Sequence, residues 1–302
     1  MQTSLPDLNA ILAAQNEKLL HVEQFAKGAT STVWKVKGTR HTYALKTSNG
    51  RVPLADAALD MKLRMDVSQK GGIVARPVSN GTGWMLDRFV EGAHPTRGAL
   101  PKDACYTLGQ TLALLHKVPV TGYGAPRVTR GQIIGTQDTA LIGLAVRFTN
   151  PLPTIAALNT HPACPAMPEL PAVLPPIIAE ISAKTTTAQP ALCHSDLHER
   201  QFLIMEGQLM ALLDFGDAVI CDPRWDFASL LYFHGPRVLA DTLAGYANKA
   251  IELRDVHLFS IGIALHHAAR SVLPNKSHRL KVATVHLRRT LLYLDQTNTR
   301  GV

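Results

Sequence analysis

The stretch from Cys193 to Gly216 constrains this chain more than any other part of it. It opens with a polar loop, Cys193-His194-Ser195-Asp196-Leu197-His198-Glu199-Arg200, and passes through Gln201 into the apolar run Phe202-Leu203-Ile204-Met205. Glu206-Gly207-Gln208 follows, then a second apolar run, Leu209-Met210-Ala211-Leu212-Leu213, and a second polar loop that begins Asp214-Phe215-Gly216. Two short apolar runs about a glycine-bearing turn specify a β-hairpin. A Gly-Gln pair with glycine first suits a type II′ two-residue turn, so Gly207 and Gln208 are expected at its tip. The register that follows sets Gln201 opposite Asp214, with directly opposed Cβ atoms roughly 5 Å apart. Two oxygen-bearing side chains at that spacing suit a hard cation. Asp196 lies in the loop that feeds the first strand, close to the same end.

These residues resemble the catalytic core of the protein-kinase-like phosphotransferases, in which His-x-Asp-x-x-x-x-Asn precedes a hairpin and Asp-Phe-Gly. His194-Ser195-Asp196-Leu197-His198 is most similar to the loop of the aminoglycoside phosphotransferase and choline kinase family, which commonly reads His-Gly-Asp-Leu-His. Gln201 stands where that family usually has Asn, and its side-chain carbonyl is longer by one methylene. The resemblance implies an α+β, bilobal protein-kinase-like fold. A small antiparallel-sheet N-lobe with one main helix (residues 1–91) binds nucleotide, and a larger, mostly helical C-lobe (residues 92–302) carries catalysis and the substrate. It also implies ATP and Mg²⁺ as cofactors, Asp196 as the base, His194 as support for its loop, and Gln201 with Asp214 as the metal ligands.

The composition admits that reading. A chain of 302 residues, 46% hydrophobic and 18% charged, can build two lobes. Its apolar runs fall short of the ~20 residues of a membrane span. Met1–Asp7 has neither a basic nor an apolar leader region, and Cys105, Cys164, Cys193 and Cys221 lack a paired spacing. A cytoplasmic protein with reduced thiols is the expectation. The net charge of +8 invites a polyanion partner, yet the seven Lys and Arg from Arg270 onward, against the single acid Asp295, supply most of it. Those residues sit at helical spacing beside Leu280, Leu287 and Leu291, as a solvated helix face does, so no nucleic-acid partner is expected.

Ser4 and Asp7 stand at capping-box spacing before a helix expected over Leu5–Glu17. Strands are expected at Leu19–Ala26, Val33–Lys37 and His41–Thr47. Between the first two, Lys27-Gly28-Ala29-Thr30-Ser31-Thr32 is either an ordinary hairpin or a small-residue loop whose amides approach phosphates. Laid on the kinase glycine-loop pattern, Gly28, Ser31 and Val33 would line the nucleotide. Tyr43-Ala44-Leu45-Lys46 resembles the strand whose lysine holds the α- and β-phosphates. The helix expected over Ala55–Val67 offers Asp60 as the acid that holds Lys46. Trp84–Gly92 resembles the interlobe hinge, in which the backbone of Arg88 to Val90 would meet the adenine edge, and the lobe boundary is set near Glu91-Gly92.

Beyond the hinge, Leu108, Leu112 and Leu115 mark a helix over Lys102–Val118, with His116 read as a packing histidine. Residues 119–150 show no clear period. The prolines between Asn150 and Pro176 exclude a long regular helix there. His161 and Cys164 have half the spacing of a metal site and no second half. Asp226, in Asp222-Pro223-Arg224-Trp225-Asp226-Phe227-Ala228, matches the family's acid that anchors the catalytic loop from a helix start. Helices are expected over Arg237–Ala250, Asp255–Leu273 and Lys276–Asp295, with His257, His266 and His267 buried or touching substrate.

The function implied is Mg²⁺·ATP-dependent phosphorylation of a hydroxyl, or less readily an amine, on a small molecule. The alternative is a nucleotide-binding regulatory or interaction module of the same fold with impaired catalysis, suggested by Gln201, the partial glycine loop and Asp60. Aminoglycosides are polycations, and the last helices offer few acids, Asp241, Glu252 and Asp255 among them. A neutral or less charged metabolite is therefore the expected acceptor.

Overall fold

The computed structural model describes residues 5–28, 31–48, 56–247 and 251–299, which fall into two units. The first runs to Pro95 and takes back the later segment Arg200–Asp217. Its helix α1 (Leu8–Ala13) is shorter than the expected Leu5–Glu17 and is capped by Asp7, whose Oδ1 accepts from the Ala10 amide at 3.1 Å. Ser4 lies outside the described residues. The chain turns out of α1 through a left-handed Asn16 (φ 55) because Glu17 belongs to the sheet instead. The buried Glu17 carboxylate accepts from the Arg40 and His41 amides at 2.8 and 3.1 Å and from the Tyr43 hydroxyl at 2.5 Å. Burial works to raise its pKa, but the Tyr43 hydroxyl and those amides outweigh burial and hold it at about 2.

Strands β1 (Leu19–Lys27), β2 (Ser31–Gly38), β3 (Thr42–Ser48), β4 (Pro77–Gly81) and β5 (Trp84–Arg88) form one antiparallel sheet in the order β1-β2-β3-β5-β4. Alternation along β3 buries Tyr43 and Leu45, which join Val36, Leu86 and the α1 residues Leu8 and Leu12 in a core. Helix α2 (Ala57–Gln69) starts at Asp56, whose carboxylate accepts from the Ala58 and Leu59 amides, and it buries Leu63 and Val67. The first two residues of its expected span lie at the edge of what is described, Ala55 outside it.

The second unit comprises Thr96–Glu199 and the chain from Ala218. Helix α3 (Lys102–His116) buries Leu108, Leu112 and Leu115, as its spacing predicts. Residues without a clear period build β6 (Val120–Thr121), β7 (Tyr123–Thr129), β8 (Gln132–Gln137) and α4 (Ala140–Arg147). Glycine makes this possible: a Cβ on Gly135 would stand 2.3 Å from the Tyr123 amide nitrogen, so β7 and β8 cross where no side chain fits. These strands share a sheet with β9 (Ala191–Cys193) and β12 (Val219–Cys221), in the order β6-β8-β7-β12-β9.

Helix α5 (Ile155–Asn159) precedes α6 (Leu170–Thr186), and α6 corrects the expectation drawn from the prolines. Pro171 falls in the first turn, where amides have no helical partner. Pro175 and Pro176 forfeit backbone bonds inside the helix, and burial of Leu170, Leu174 and Ile181 offsets that loss. Helices α7 (Arg224–His234), α8 (Pro236–Tyr246), α9 (Leu253–Ala269) and α10 (His278–Thr299) complete the unit around Trp225, Phe259, Ile261 and Leu287. Ala250, the expected end of α8, lies outside the described residues. Among the described residues, no helix is long and apolar enough to cross a membrane.

The hairpin of β10 (Phe202–Met205) and β11 (Gln208–Leu212) returns to the first unit, with a different tip from the one expected. Met205 faces Gln208, so the central residues are Glu206 and Gly207, both left-handed at φ 51 and 80. That is the type I′ pattern, whose twist matches the strands and which takes glycine second. An irregularity between Leu203 and Ile204 shifts the pairing, and the Leu213 amide donates to the Gln201 carbonyl at 2.9 Å. Gln201 is therefore level with Leu213. Asp214 sits one residue beyond, left-handed at φ 57, and is not opposite Gln201.

Candidate active site

In the first unit, Lys46 lies on β3 between Val33 of β2 and Met85 of β5. Its Nζ is 3.0 Å from Asp214 Oδ1, so a cation and a carboxylate are already juxtaposed at the mouth of the hairpin. The expected Lys46–Asp60 pair gives way to another arrangement. Asp60 Oδ1 accepts from Arg64 Nε at 2.6 Å, one helical turn away, and Asp60 Oδ2 accepts from the Phe215 amide at 3.1 Å. Arg64 Nη1 in turn reaches Asp87 at 2.8 Å and the Ala75 carbonyl at 2.9 Å. Asp60 instead meets the backbone beside Asp214, so α2 is tied to the Asp-Phe-Gly segment directly. Burial raises the Asp87 carboxyl to about 6 in spite of Arg64.

Gly28 closes the turn before β2, its amide donating to the Ser31 carbonyl at 2.7 Å. Ala29 and Thr30 lie outside the described residues. At the expected hinge the Arg88 amide bonds the Arg76 carbonyl and the Phe89 amide the Thr42 carbonyl, at 2.9 and 3.0 Å. Of the three hinge amides, this leaves that of Val90 without a backbone partner among the described residues.

In the second unit the loop that carries His194, Ser195 and Asp196 leaves β9, which is fixed by pairing with β12. Asp226, fully buried in the first turn of α7, accepts the His194 amide at 2.9 Å, the Ser195 amide at 2.6 Å and His116 Nε2 at 3.0 Å. His116 Nδ1 meets the Tyr246 hydroxyl at 2.9 Å. Burial opposes charge on His116, but Asp226 raises its pKa to about 9, so the pair is an ion pair at neutral pH. His116, Cys193 and Asp226 offer ligand atoms within 4.8 Å of one another. With its oxygens committed to two amides and an imidazolium, Asp226 is an anchor. Ser195 is left-handed at φ 66, which accounts for the glycine common at this position in the resembling family.

The loop thus fixed presents Asp196. Arg147 Nη2 is 3.5 Å from Asp196 Oδ1 and His198 Nε2 is 3.4 Å from Oδ2. Burial would raise this carboxyl, but the His198 hydrogen bond and the Arg147 charge hold it well below the usual carboxylate range. His194 is buried, with its Nδ1 facing the Asp196 amide at 3.4 Å, as a loop support would be. Arg147 also donates from Nε to Ser195 Oγ at 2.8 Å.

Each unit thus assembles part of the expected set. The first brings Lys46 to Asp214, with Val33 beside the lysine and Asp60 behind Phe215. The second brings His194, Asp196 and Asp226 together. The Asp214 carboxylate, 43% exposed, is an oxygen donor of the kind a hard cation takes, whereas Gln201 is buried and level with Leu213, one residue short of Asp214. Arg147, His198 and His116 were not among the predicted site residues. His198 and His116 stand inside recognisable motifs, but Arg147 ends a helix that has no sequence signal.

The sequence profile of the phosphotransferase enzyme family matches residues 21–258. Among curated proteins, no sequence matches this one. Among solved structures, a thermostable mutant of aminoglycoside phosphotransferase APH(4)-Ia in its apo form is similar over 95% of this chain and 99% of its own, with 14% identity and a TM-score of 0.63. A fructosamine-3-kinase-like protein from Thermobifida fusca is similar over 94% of this chain and all of its own, at 16% identity and TM-score 0.64. Spectinomycin phosphotransferase APH(9)-Ia, crystallised with ADP and spectinomycin, covers 95% of this chain at 11% identity and TM-score 0.59. At such identities the likeness shows the fold, which is α+β and protein-kinase-like, with an antiparallel N-terminal sheet and a larger, mainly helical C-terminal part. The profile spans the Lys46 strand, the strand Trp84–Arg88, the Asp196 loop, the hairpin and Asp226, and the chain belongs to the phosphotransferase enzyme family.

Proposed function

We propose that this chain is a Mg²⁺·ATP-dependent kinase that transfers the γ-phosphoryl group to a hydroxyl of a small molecule. The observation that carries the reading is Asp196, an ionised carboxylate on a loop whose amides are clamped by Asp226. Its two oxygens are flanked by Arg147 and His198, so it stays charged throughout the working pH range. A carboxylate held that low is a weak base. Its part is to accept the hydrogen bond of the substrate hydroxyl, orient the attacking oxygen and take the proton late, as the new phosphoester forms.

Lys46 would steady the α- and β-phosphates, and Asp214 with Gln201 would hold the metal. Mg²⁺ supplies charge neutralisation on the transferring group when bound. Asp60, through the Phe215 amide, keeps Asp214 at its place in the chain. The turn at Gly28, Ser31 and Val33 would face the phosphates, and the backbone from Arg88 to Val90 the adenine. Little covalent work falls to the protein, so positioning and electrostatics carry the rate. The solved relatives crystallised with ADP and an aminoglycoside or spectinomycin support nucleotide use and a small-molecule acceptor.

The test is ADP release from Mg²⁺·ATP across a panel of alcohols. Asp196→Asn is expected to lower turnover by about 10²–10⁴-fold while Mg²⁺·ATP still raises Tm. Full turnover by Asp196→Asn would overturn the assignment. Stabilisation by Mg²⁺·ATP with no ADP formed on any acceptor would instead favour the nucleotide-binding module.

A further inference from the structure

Asp196 stands among more positive charge than it can balance. Arg147 touches it at 3.5 Å, and its field also reaches Arg279 and His267. Arg279 Nη1 lies 3.1 Å from His267 Nδ1, and since a guanidinium only donates, that ring nitrogen accepts and His267 is neutral. His266 is likewise an acceptor, from the Thr149 amide at 2.7 Å. Burial drives both histidines below their ordinary pKa, and Arg147 and Arg279 act on both in the same direction, with Arg270 acting on His266. The two rings therefore add no charge, while the three arginines keep theirs.

Neither Arg270 nor Arg279 forms an ion pair with a carboxylate among the described residues. The Arg270 Nε atom is buried with no hydrogen-bond partner among them. Arg279 is half-buried, and burial and the neighbouring Arg270 together push its pKa below the ordinary value. Gathering half-buried guanidinium groups with an unmet donor costs free energy unless an anion completes them. A carboxylate or phosphate suits the fork geometry of arginine through paired N–H donors. Beside the cations, His267 stacks on Tyr232 with ring centroids 4.7 Å apart, and Phe233 borders both His267 and His198. The site is thus basic and aromatic-walled, the opposite of what a polycationic acceptor requires.

We propose that the phosphoryl acceptor is an anionic small molecule whose carboxylate or phosphate group docks on Arg147, Arg270 and Arg279, placing its hydroxyl at Asp196. This names the substrate class of the site and rests on the kinase reading above. It replaces the neutral acceptor expected from sequence. That expectation weighed the scarcity of acids in the last helices, whereas Arg270 and Arg279 were counted with a solvated basic face.

The test uses matched acceptors with Mg²⁺·ATP: glycerol, D-glycerate, glycerol 3-phosphate and serinol, and in parallel glucose, gluconate, glucose 6-phosphate, glucosamine and kanamycin. An anionic member is expected to show a KM at least tenfold below its neutral counterpart, and the carboxylate and phosphate arms separate the two sources of charge. Arg270→Gln and Arg279→Gln should each raise that KM at least tenfold, with KM for ATP unchanged and Tm in the absence of acceptor unchanged or higher, and Arg279→Lys should recover part of the loss. Preference for the amines or kanamycin, equal KM for neutral and anionic members, or indifference to both Gln variants would overturn the proposal and leave the kinase reading standing. If no member is turned over, inorganic phosphate added to the Mg²⁺·AMP-PNP complex decides the anion site. A rise in Tm for the wild type that the Arg270→Gln/Arg279→Gln double variant lacks supports it, and no such difference overturns it. Absence of any stabilisation by Mg²⁺·ATP would count against the kinase reading separately.

Discussion

Ser195 shows how one residue couples backbone geometry to the chemistry beside it. Its amide is fixed by Asp226 and its φ of 66 is left-handed, a conformation that costs a non-glycine residue about 1–2 kcal/mol. Its hydroxyl accepts from Arg147 Nε, and that contact aims the guanidinium along Asp196. Strain at this position is therefore offset by a side-chain role that glycine cannot supply. Ser195→Gly should leave Tm unchanged or slightly higher, since the strain is relieved. KM for the acceptor should rise several-fold as Arg147 loses its brace, with KM for ATP unaffected. Steady-state kinetics in both substrates together with a melting curve check this, and a lowered Tm with unchanged KM would show that the hydroxyl serves the fold alone.

Two elements carry testable consequences, the hairpin and helix α2. With Glu206 and Gly207 as the central residues of a type I′ turn, Glu206→Asn should stabilise the chain by about 0.5–1 kcal/mol, because Asn tolerates left-handed φ, and Gly207→Ala should destabilise it by about 1 kcal/mol. A stabilising Gln208→Asn with a neutral Glu206→Asn, read by denaturant unfolding, would restore the tip that the sequence suggests. In α2, Asp60→Ala removes the acceptor of the Phe215 amide and one partner of Arg64. It should cost about 2–3 kcal/mol of stability and raise KM for Mg²⁺·ATP more than KM for the acceptor. An effect confined to stability would separate α2 from the nucleotide. The sequence made legible what depends on local pattern: the strands β1 to β3, helix α3, the hairpin, the loop residue Asp196 and the helix residue Asp226. It left obscure what depends on contact across the chain. The tip of the hairpin was decided by twist and a bulge, features with no signal in the order of residues. The strands β6 to β8 were hidden because Gly122, Gly124 and Gly135 replace apolar alternation with close backbone crossing. Helix α6 was hidden because buried leucines outweigh its prolines. Arg147, Arg270 and Arg279 could not be assigned, since a lone arginine reads alike on a solvated face and beside a buried carboxylate.

Across the whole molecule, the titratable groups give the two units different pH optima. In the first unit the Glu17 carboxyl falls from its ordinary 4.5 to about 2, so its contribution is complete above pH 4.5 and is lost as pH falls toward 2. The Asp87 carboxyl rises from 3.8 to about 6, so its contribution is complete below pH 3.8 and is lost as pH climbs through 6. The first unit is therefore favoured near pH 4. In the second unit, burial lowers His234 and His257 to about 4 and His266 and His286 to about 3. Each depressed histidine contributes fully above its ordinary 6.5 and loses that contribution as pH falls through its folded value. His116, raised to about 9, contributes fully below 6.5 and is lost as pH rises through 9. The second unit is thus favoured near pH 6.5 to 7, with the buried histidines acting on the acid side and His116 the first group to act on the alkaline side. Hydrogen exchange followed at pH 5 and pH 7, corrected for intrinsic rates, should show the core amides of α7 and α9 losing protection at pH 5, while those of β2 and β3 hold or gain it. His257→Phe keeps a ring against Tyr293, 3.7 Å away between centroids, and removes a buried nitrogen without a hydrogen-bond partner among the described residues. It should shrink the acid loss in the second unit and leave the first unit unchanged. Parallel loss of protection in both units at pH 5, or better protection of α7 and α9 there than at pH 7, would show that the buried histidines do not set the acid limb.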